Sequence, residues 1–130
     1  MRLSDTHAHL ARELFAAYGA ADVARLERLI AEDAVWEVPG RSQLAGRHRG
    51  RAAVLDYFAR LKTLGNFQAT VLDVLGSDAG AVVIARSRGT FAERQYAGDY
   101  CLSLTFRGGL VRRAQLFLED TYAFDALFGG

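Results

Sequence analysis

The chain has 130 residues, of which 51 % are hydrophobic and 24 % charged, and its formal net charge is +1 at pH 7. These values are ordinary for a globular protein and predict one domain spanning residues 1–130. They exclude the clustered basic excess of a nucleic-acid-binding protein, and no segment reaches the roughly 18 apolar residues of a membrane span, so neither partner is expected.

The first predicted element is an amphipathic helix. Leu10, Leu14, Ala17 and Tyr18 recur at helical spacing within Leu3–Ala20. This spacing predicts a helix with one apolar face.

A second, short helix and a strand are predicted next. Asp22 predicts the start of a helix that runs to Ile30, because its carboxylate can accept the free amide hydrogens of the first turn. A brief strand is predicted over Ala34–Val38, and Pro39 ends it because proline cannot donate to a sheet ladder. The polar segment Arg41–Arg49 is predicted to be a loop.

A third helix is predicted between Gly50 and a stop at Gly65 and Asn66. Its apolar stripe is formed by Val54, Leu55, Phe58, Leu61 and Leu64.

The second half of the chain predicts four strands in antiparallel hairpins, since short breaks with turn-forming or charged residues separate the apolar runs. The predicted ranges are Phe67–Leu75, Ala81–Phe91, Tyr96–Phe106 and Leu110–Asp120. Strands of about ten residues are longer than usual, and long strands bend, so this sheet is expected to wrap around helices and leave a cavity. A helical turn is predicted at the end, over Thr121–Phe128.

Four segments resemble one known family. They read FAAYGAADV (15–23), LIAEDAVWEVPG (29–40), LAGRHRGR (44–51) and LFLEDTYAFD (116–125). Together with the element order, they resemble SnoaL-like proteins, a branch of the superfamily of nuclear transport factor two, ketosteroid isomerase and limonene epoxide hydrolase. The resemblance implies an α+β, cone-shaped fold of three N-terminal helices packed in a curved, mainly antiparallel sheet.

The resemblance also implies a function with a pocket for small molecules. One hypothesis is a cofactor-independent cyclase, isomerase or hydrolase acting on a hydrophobic cyclic or polyketide-like substrate. The alternative is a non-catalytic binding or dimerisation module, since this fold hosts many functions. No cofactor is expected, and three histidines without clustered acids predict no metal site.

Two catalytic patterns of the superfamily are incomplete here. Where the resemblance to ketosteroid isomerases implies a tyrosine and two carboxyl groups, this chain has Leu14, Val38 and Leu102. Enolisation needs such a base and an oxyanion donor, so that chemistry is not expected.

Limonene epoxide hydrolases use an arginine and two acids, and the resemblance implies that this chain keeps only the arginine, as Arg86. Arg88 and Gln115 occupy the positions of the two acids in those enzymes. Trp36 and Val38 occupy the positions of the residues that hold their catalytic water.

Strand alternation and the resemblance orient the last strand. The face predicted to point into the pocket consists of Val111, Arg113, Gln115, Phe117 and Glu119. The opposite face, which is richer in leucine, is expected to form a sheet-to-sheet homodimer interface or a covered outer surface.

Four residues are candidates for catalysis. Arg86 is expected to orient a polar substrate group, with Gln115, Glu119 and His48 as hydrogen-bonding or proton-transfer groups. The alternatives are structural: a pair between Arg86 and Glu37, Asp99 or Glu119, a salt bridge of Glu119 at the rim, and a hydrogen-bonded His48 in its loop.

The predicted ligand-binding lining is aromatic and aliphatic, and packing in the core is the alternative for each member. Its members are Phe15, Tyr18, Trp36, Val38, Phe58, Leu102 and Phe117, with Tyr57 as a further aromatic candidate. Cys101 lies in an apolar run and is expected to be a small core residue. The first residues lack the continuous apolar stretch of a secretory signal, so a cytoplasmic location is expected.

Overall fold

The computed structural model describes residues 2–129 and has α+β architecture, as predicted. The elements are α1 (Leu3–Gly19), α2 (Val23–Leu29), β1 (Ile30–Val38), β2 (Gly46–Arg49), α3 (Arg51–Gly65), β3 (Gln68–Gly76), β4 (Gly80–Phe91), β5 (Arg94–Arg107), β6 (Leu110–Leu118) and α4 (Thr121–Leu127). Two helices are N-terminal, α3 follows the second strand and α4 comes after the last strand, which corrects the expectation of three N-terminal helices. Within residues 2–129 no helix is both long enough and apolar enough to cross a membrane.

Six strands form one mixed sheet in the order β2-β1-β6-β5-β4-β3. The β1–β6 pair is parallel and the other neighbours are antiparallel. This pattern confirms the predicted meander of the second half and places the N-terminal strand beside the last one.

The ends of two helices follow the predicted local chemistry. The Asp22 carboxylate accepts a hydrogen bond from the Arg25 amide at 3.1 Å, which satisfies a free donor at the start of α2. Asn66 closes α3 with φ 48° and ψ 46°, a left-handed conformation that asparagine tolerates better than most residues.

Strand β2 was predicted to be a loop. It pairs with β1 at the edge of the sheet, and three of its four residues are exposed. An edge strand that faces solvent needs no alternation of apolar residues, so its sequence carries no strand pattern. His48, predicted to lie in that loop, belongs to this strand.

Helices α1 and α3 pack against the sheet, and the strands bury their inner side chains against them. The inner face includes Val83, Ala85, Leu102 and Ala114, all less than 4 % exposed. Cys101 points to the opposite face and is half-buried, so it is not the core residue predicted from its apolar run.

Strand β6 contains a bulge that reverses its alternation. Thr105 pairs with Arg113, but the next residue, Phe106, pairs with Val111, so Arg112 has no partner on β5. Val111 and Ala114 are consequently both fully buried although they lie three residues apart. An extra residue in a strand shifts every following side chain to the other face.

The predicted orientation of the last strand is therefore wrong beyond Val111. Gln115 and Glu119 are exposed, and Phe117 is 52 % exposed on the outer face. The inward positions belong to Ala114 and the two leucines Leu116 and Leu118.

Candidate functional site

A cavity of about 80 Å³ lies between the helices and the inner face of the sheet. Its lining is almost entirely apolar or aromatic and comes from helices α1, α3 and α4, the strands β1 and β3–β6, and the segment before β3. The lining residues are Leu14, Phe15, Tyr18, Trp36, Tyr57, Phe58, Leu61, Phe67, Gln68, Ala69, Ser87, Tyr96, Tyr100, Leu102, Leu116, Leu118 and Phe124.

Edge-to-face packing fixes the aromatic wall. The Phe58 ring lies 4.9 Å from Trp36 at 89° and 5.5 Å from Tyr18 at 80°, measured between ring centroids and ring planes. This geometry is the favourable arrangement of aromatic quadrupoles, so the rings on α1, α3 and β1 support one another.

Tyrosine hydroxyls are the main polar groups of the cavity. The Tyr18 hydroxyl donates to the backbone carbonyl of Phe67 at 2.7 Å. The hydroxyls of Tyr57 and Tyr100 have no hydrogen-bond partner among residues 2–129, yet neither oxygen is sealed from open space. Tyr57 is only 5 % exposed, and both Tyr57 and Tyr100 belong to the cavity lining.

These tyrosines stay protonated at neutral pH. Burial raises the pKa of Tyr18, Tyr57 and Tyr100 well above the usual value of 10. The neighbouring tyrosines raise the pKa of Tyr57 and Tyr100 further, because two nearby phenolates would repel one another. The hydroxyls therefore serve as neutral hydrogen-bond donors rather than as bases.

Charged side chains are absent from the lining formed by the described residues 2–129. The Lys62 ammonium lies 4.5 Å from the centre of the Tyr18 ring and contacts a lining residue from outside. The site thus combines an apolar wall with uncharged donors, an arrangement that can bind a carbonyl, phenol or ether oxygen.

The model of the SnoaL-like domain family matches residues 11–114, about four-fifths of the chain. The chain belongs to the SnoaL-like domain family. This finding confirms the resemblance that the sequence motifs indicated.

Known structures agree with this assignment. Bal32a from a soil-derived mobile gene cassette is 31 % identical, with a TM-score of 0.94 over 98 % of this chain and 99 % of its own. A putative polyketide cyclase from Sinorhizobium meliloti is 26 % identical, with a TM-score of 0.69 over 83 % and 93 % of the two chains. An NTF2-like protein from Burkholderia xenovorans, 24 % identical with a TM-score of 0.84 over 96 % and 97 %, shows the shared fold.

Five of the seven predicted ligand-binding residues of this SnoaL-like protein line the cavity. These five are Phe15, Tyr18, Trp36, Phe58 and Leu102. Val38 is buried in the core outside the lining, and Phe117 lies on the outer face because of the bulge.

The four predicted catalytic residues are not brought together in the cavity. The Arg86 Nε donates to Asp99 Oδ1 at 2.7 Å on the outer face, which is one of the structural pairs considered above. Glu119 accepts a hydrogen bond from the Asp99 amide at 3.3 Å beside this pair, and Gln115 is exposed on the same face of the sheet.

His48 is separated from the cavity by Tyr57. Its ring stacks on the Tyr57 ring with centroids 4.7 Å apart, and its Nε2 is 2.9 Å from the carbonyl oxygen of Leu44. The predicted structural alternative for His48 thus fits its surroundings. His48 contacts Tyr57, and Tyr57 in turn lines the cavity.

Several lining residues are not among those predicted from the sequence. Tyr100 shares a strand face with Leu102, so period-two alternation would have added it once Leu102 was placed inside. Phe67 and Phe124 lie outside regular strands, and no pattern in the sequence indicates that they reach the cavity.

Proposed function

We propose that this SnoaL-like protein binds a cyclic molecule whose ring part is uncharged and carries at least one oxygen atom. The carrying observation is that Tyr57 and Tyr100 line a largely apolar cavity and that their hydroxyls have no hydrogen-bond partner among residues 2–129. A polar group in such a place is costly unless a ligand or water bonds to it. Apolar burial would add about 25 cal/mol per Å² of ligand surface.

The cavity volume limits the ligand. Its roughly 80 Å³ is small beside the 300–1,000 Å³ of pockets that enclose drug-sized molecules. The expected ligand is therefore a small ring system that fills the space between the aromatic walls, rather than an extended polycyclic molecule held entirely inside.

A cofactor-independent cyclase, isomerase or hydrolase is the second candidate. The similarity to a putative polyketide cyclase favours it, as do the tyrosine hydroxyls, which can stabilise a developing oxyanion. The uncharged lining argues against carboxylate-catalysed enolisation. Leu14 and Leu102 form part of the wall where a ketosteroid isomerase-like site would place a hydroxyl and a carboxyl group, so we expect no useful turnover of Δ5-3-ketosteroids.

The binding proposal is tested with 2-naphthol and naphthalene, which differ by one hydroxyl. Tyr57→Phe should weaken 2-naphthol binding by about 0.5–1.5 kcal/mol, the net value of a neutral hydrogen bond, and leave naphthalene binding unchanged. Isothermal titration calorimetry measures both affinities. Tyr122→Phe is the matched control, since Tyr122 is 89 % exposed.

Two results would contradict the proposal. One is the absence of saturable binding of either compound. The other is an equal loss of affinity for both compounds in Tyr57→Phe, which would indicate that the variant disturbs the wall rather than a hydrogen bond.

A further inference from the structure

A second, open groove of about 830 Å³ lies next to the cavity. Gln68 and Tyr96 belong to both linings, so the two spaces adjoin at these two residues. The groove lies at the end of α3 and the adjoining ends of β3, β4 and β5.

The wall between the two spaces is the Phe67 ring. Phe67 lines the cavity, while Gly65 and Gly89 line the groove. A β-carbon on either glycine would overlap the Phe67 ring, so the ring lies directly against both glycines. Cavity and groove are therefore separated by the Phe67 ring and the backbone of these two glycines.

The groove has one charged residue among its described lining, and that residue is a cation. Arg88 is exposed, and its side chain makes no hydrogen bond or salt bridge within residues 2–129. The β3–β4 register places Arg88 directly opposite Gln68, one of the two shared residues. Opposite residues in an antiparallel pair have β-carbons about 5 Å apart, so the Arg88 side chain leaves the backbone beside Gln68.

The rest of the groove is polar and uncharged. Thr63, Asn66, Thr90 and Gln95 contribute hydroxyl and amide groups. Such groups hydrogen-bond an anionic oxygen without opposing it, and no carboxylate of the described residues lines the groove. The cavity, in contrast, has no charged group among the residues 2–129 that line it and thus none to hold an anion.

We propose that the groove is a second subsite, and that the natural ligand is amphipathic, with its ring in the cavity and a carboxylate on a tether that passes Gln68 and Tyr96 to reach Arg88. This inference rests on the proposed binding function and adds the chemical class of the ligand. It also explains how a ligand larger than the cavity is accommodated.

The probes are 4-(2-naphthoxy)butanoate and its primary amide, which share ring and tether and differ by one charge. The carboxylate should bind about three- to tenfold more tightly than the amide at low salt, as expected for a charge-assisted contact at an exposed site. Raising the ionic strength should reduce this preference, because salt screens exposed charges.

Arg88→Gln should abolish the preference. Arg107→Gln, which removes another exposed arginine with no side-chain partner in residues 2–129, is the matched control and should retain the preference. Gln95→Glu adds a carboxylate to the groove and should weaken binding of the carboxylate probe only. Melting temperatures establish that each variant is folded.

The outcomes separate the two proposals. If the amide binds but the carboxylate binds no more tightly, or if Arg88→Gln keeps the preference, the second subsite is overturned while the cavity function stands. If neither probe binds while 2-naphthol does, only the second subsite is overturned; if 2-naphthol does not bind either, both proposals fail.

Discussion

The two faces of the sheet carry opposite chemistry. The inner face presents tyrosine hydroxyls and aliphatic side chains to the cavity, without a charged group in the described lining. The outer face carries ion pairs that join neighbouring strands. Glu37 on β1 bonds Arg47 on β2 at 2.7 Å and Arg113 on β6 at 2.6 Å.

This difference separates residues that hold the sheet together from residues that meet a ligand. Arg86 and Glu119, prominent in the sequence as charged groups on strands or near their ends, lie on the outer face or its margin. The polar groups available to a ligand inside are tyrosine hydroxyls, and the sequence predicts Tyr18 and Tyr57 only as parts of an aromatic lining. In this chain, paired charges therefore mark the structural face and neutral polar groups mark the cavity.

The largest expected effect is a loss of stability, which tests whether the bulge in β6 turns Ala114 into the core. Ala114→Gln should destabilise the protein by more than about 2 kcal/mol, because it overpacks a fully buried position and buries an amide without a partner. Gln115→Ala should change stability by about 0.5 kcal/mol or less, as is usual at an exposed site. Urea unfolding measures both. Tolerance of Ala114→Gln would mean that strand alternation continues without the bulge.

The second effect concerns association through the outer face, where Phe117 is exposed beside the half-buried Cys101 and Ile84. We propose a homodimer through this apolar centre, since exposed apolar patches of a folded domain usually mark interfaces. Phe117→Arg should convert the dimer to monomer in sedimentation velocity at micromolar concentration. Tyr122→Arg is the control at another exposed aromatic residue. A monomeric wild-type protein would refute the proposal.

A smaller effect is expected at Arg86. The hydrogen bond from this guanidinium lowers the pKa of Asp99, but the side chains of the pair are 47 % and 38 % exposed. Exposed pairs contribute little, so Arg86→Met should leave both the melting temperature and 2-naphthol affinity nearly unchanged. Lost affinity at an unchanged melting temperature would show that Arg86 reaches the ligand after all.

The smallest effect is the pH dependence of the Glu37 pairs. Hydrogen bonds from Arg113 and then Arg47 lower the pKa of Glu37 below its ordinary 4.5. A carboxylate with a lowered folded-state pKa stabilises the protein above its unfolded-state pKa, and this contribution disappears as the pH falls through the folded-state value. The stability difference between wild type and Glu37→Gln should therefore shrink below pH 4.5. A difference that is constant across thermal melts from pH 7 to pH 3 would contradict this assignment.

The sequence predicts the elements better than the orientation of their side chains. Helical periodicity and the Asp22 and Asn66 termini are local signals, and they locate the helices within a residue or two. The bulge at Arg112 depends on pairing with two neighbouring strands, and a single strand sequence contains no record of it. Because the prediction did not include this extra residue, it placed Gln115 and Phe117 on the wrong face of the sheet.

The sequence predicted residues of the candidate site only where helical or strand periodicity agreed with the family resemblance. The aromatic residues of α1, α3 and β1 lie at helical or strand spacing and were found. The raised pKa of the tyrosines could not be read from the sequence, because it follows from burial and from the proximity of Tyr18, Tyr57 and Tyr100 in the folded chain.

The contact of Phe67 with Gly65 and Gly89 has a consequence for the evolution of this pocket. Because the ring rests against two residues that lack side chains, any side chain gained at either position must push the ring toward the cavity or disrupt the local backbone. The absence of side chains at Gly65 and Gly89 thus helps to set the size of ligand that the cavity can hold. Mutations that never touch the ligand can retune its selectivity, and a survey of ligand ranges should examine these two glycines before the tyrosines.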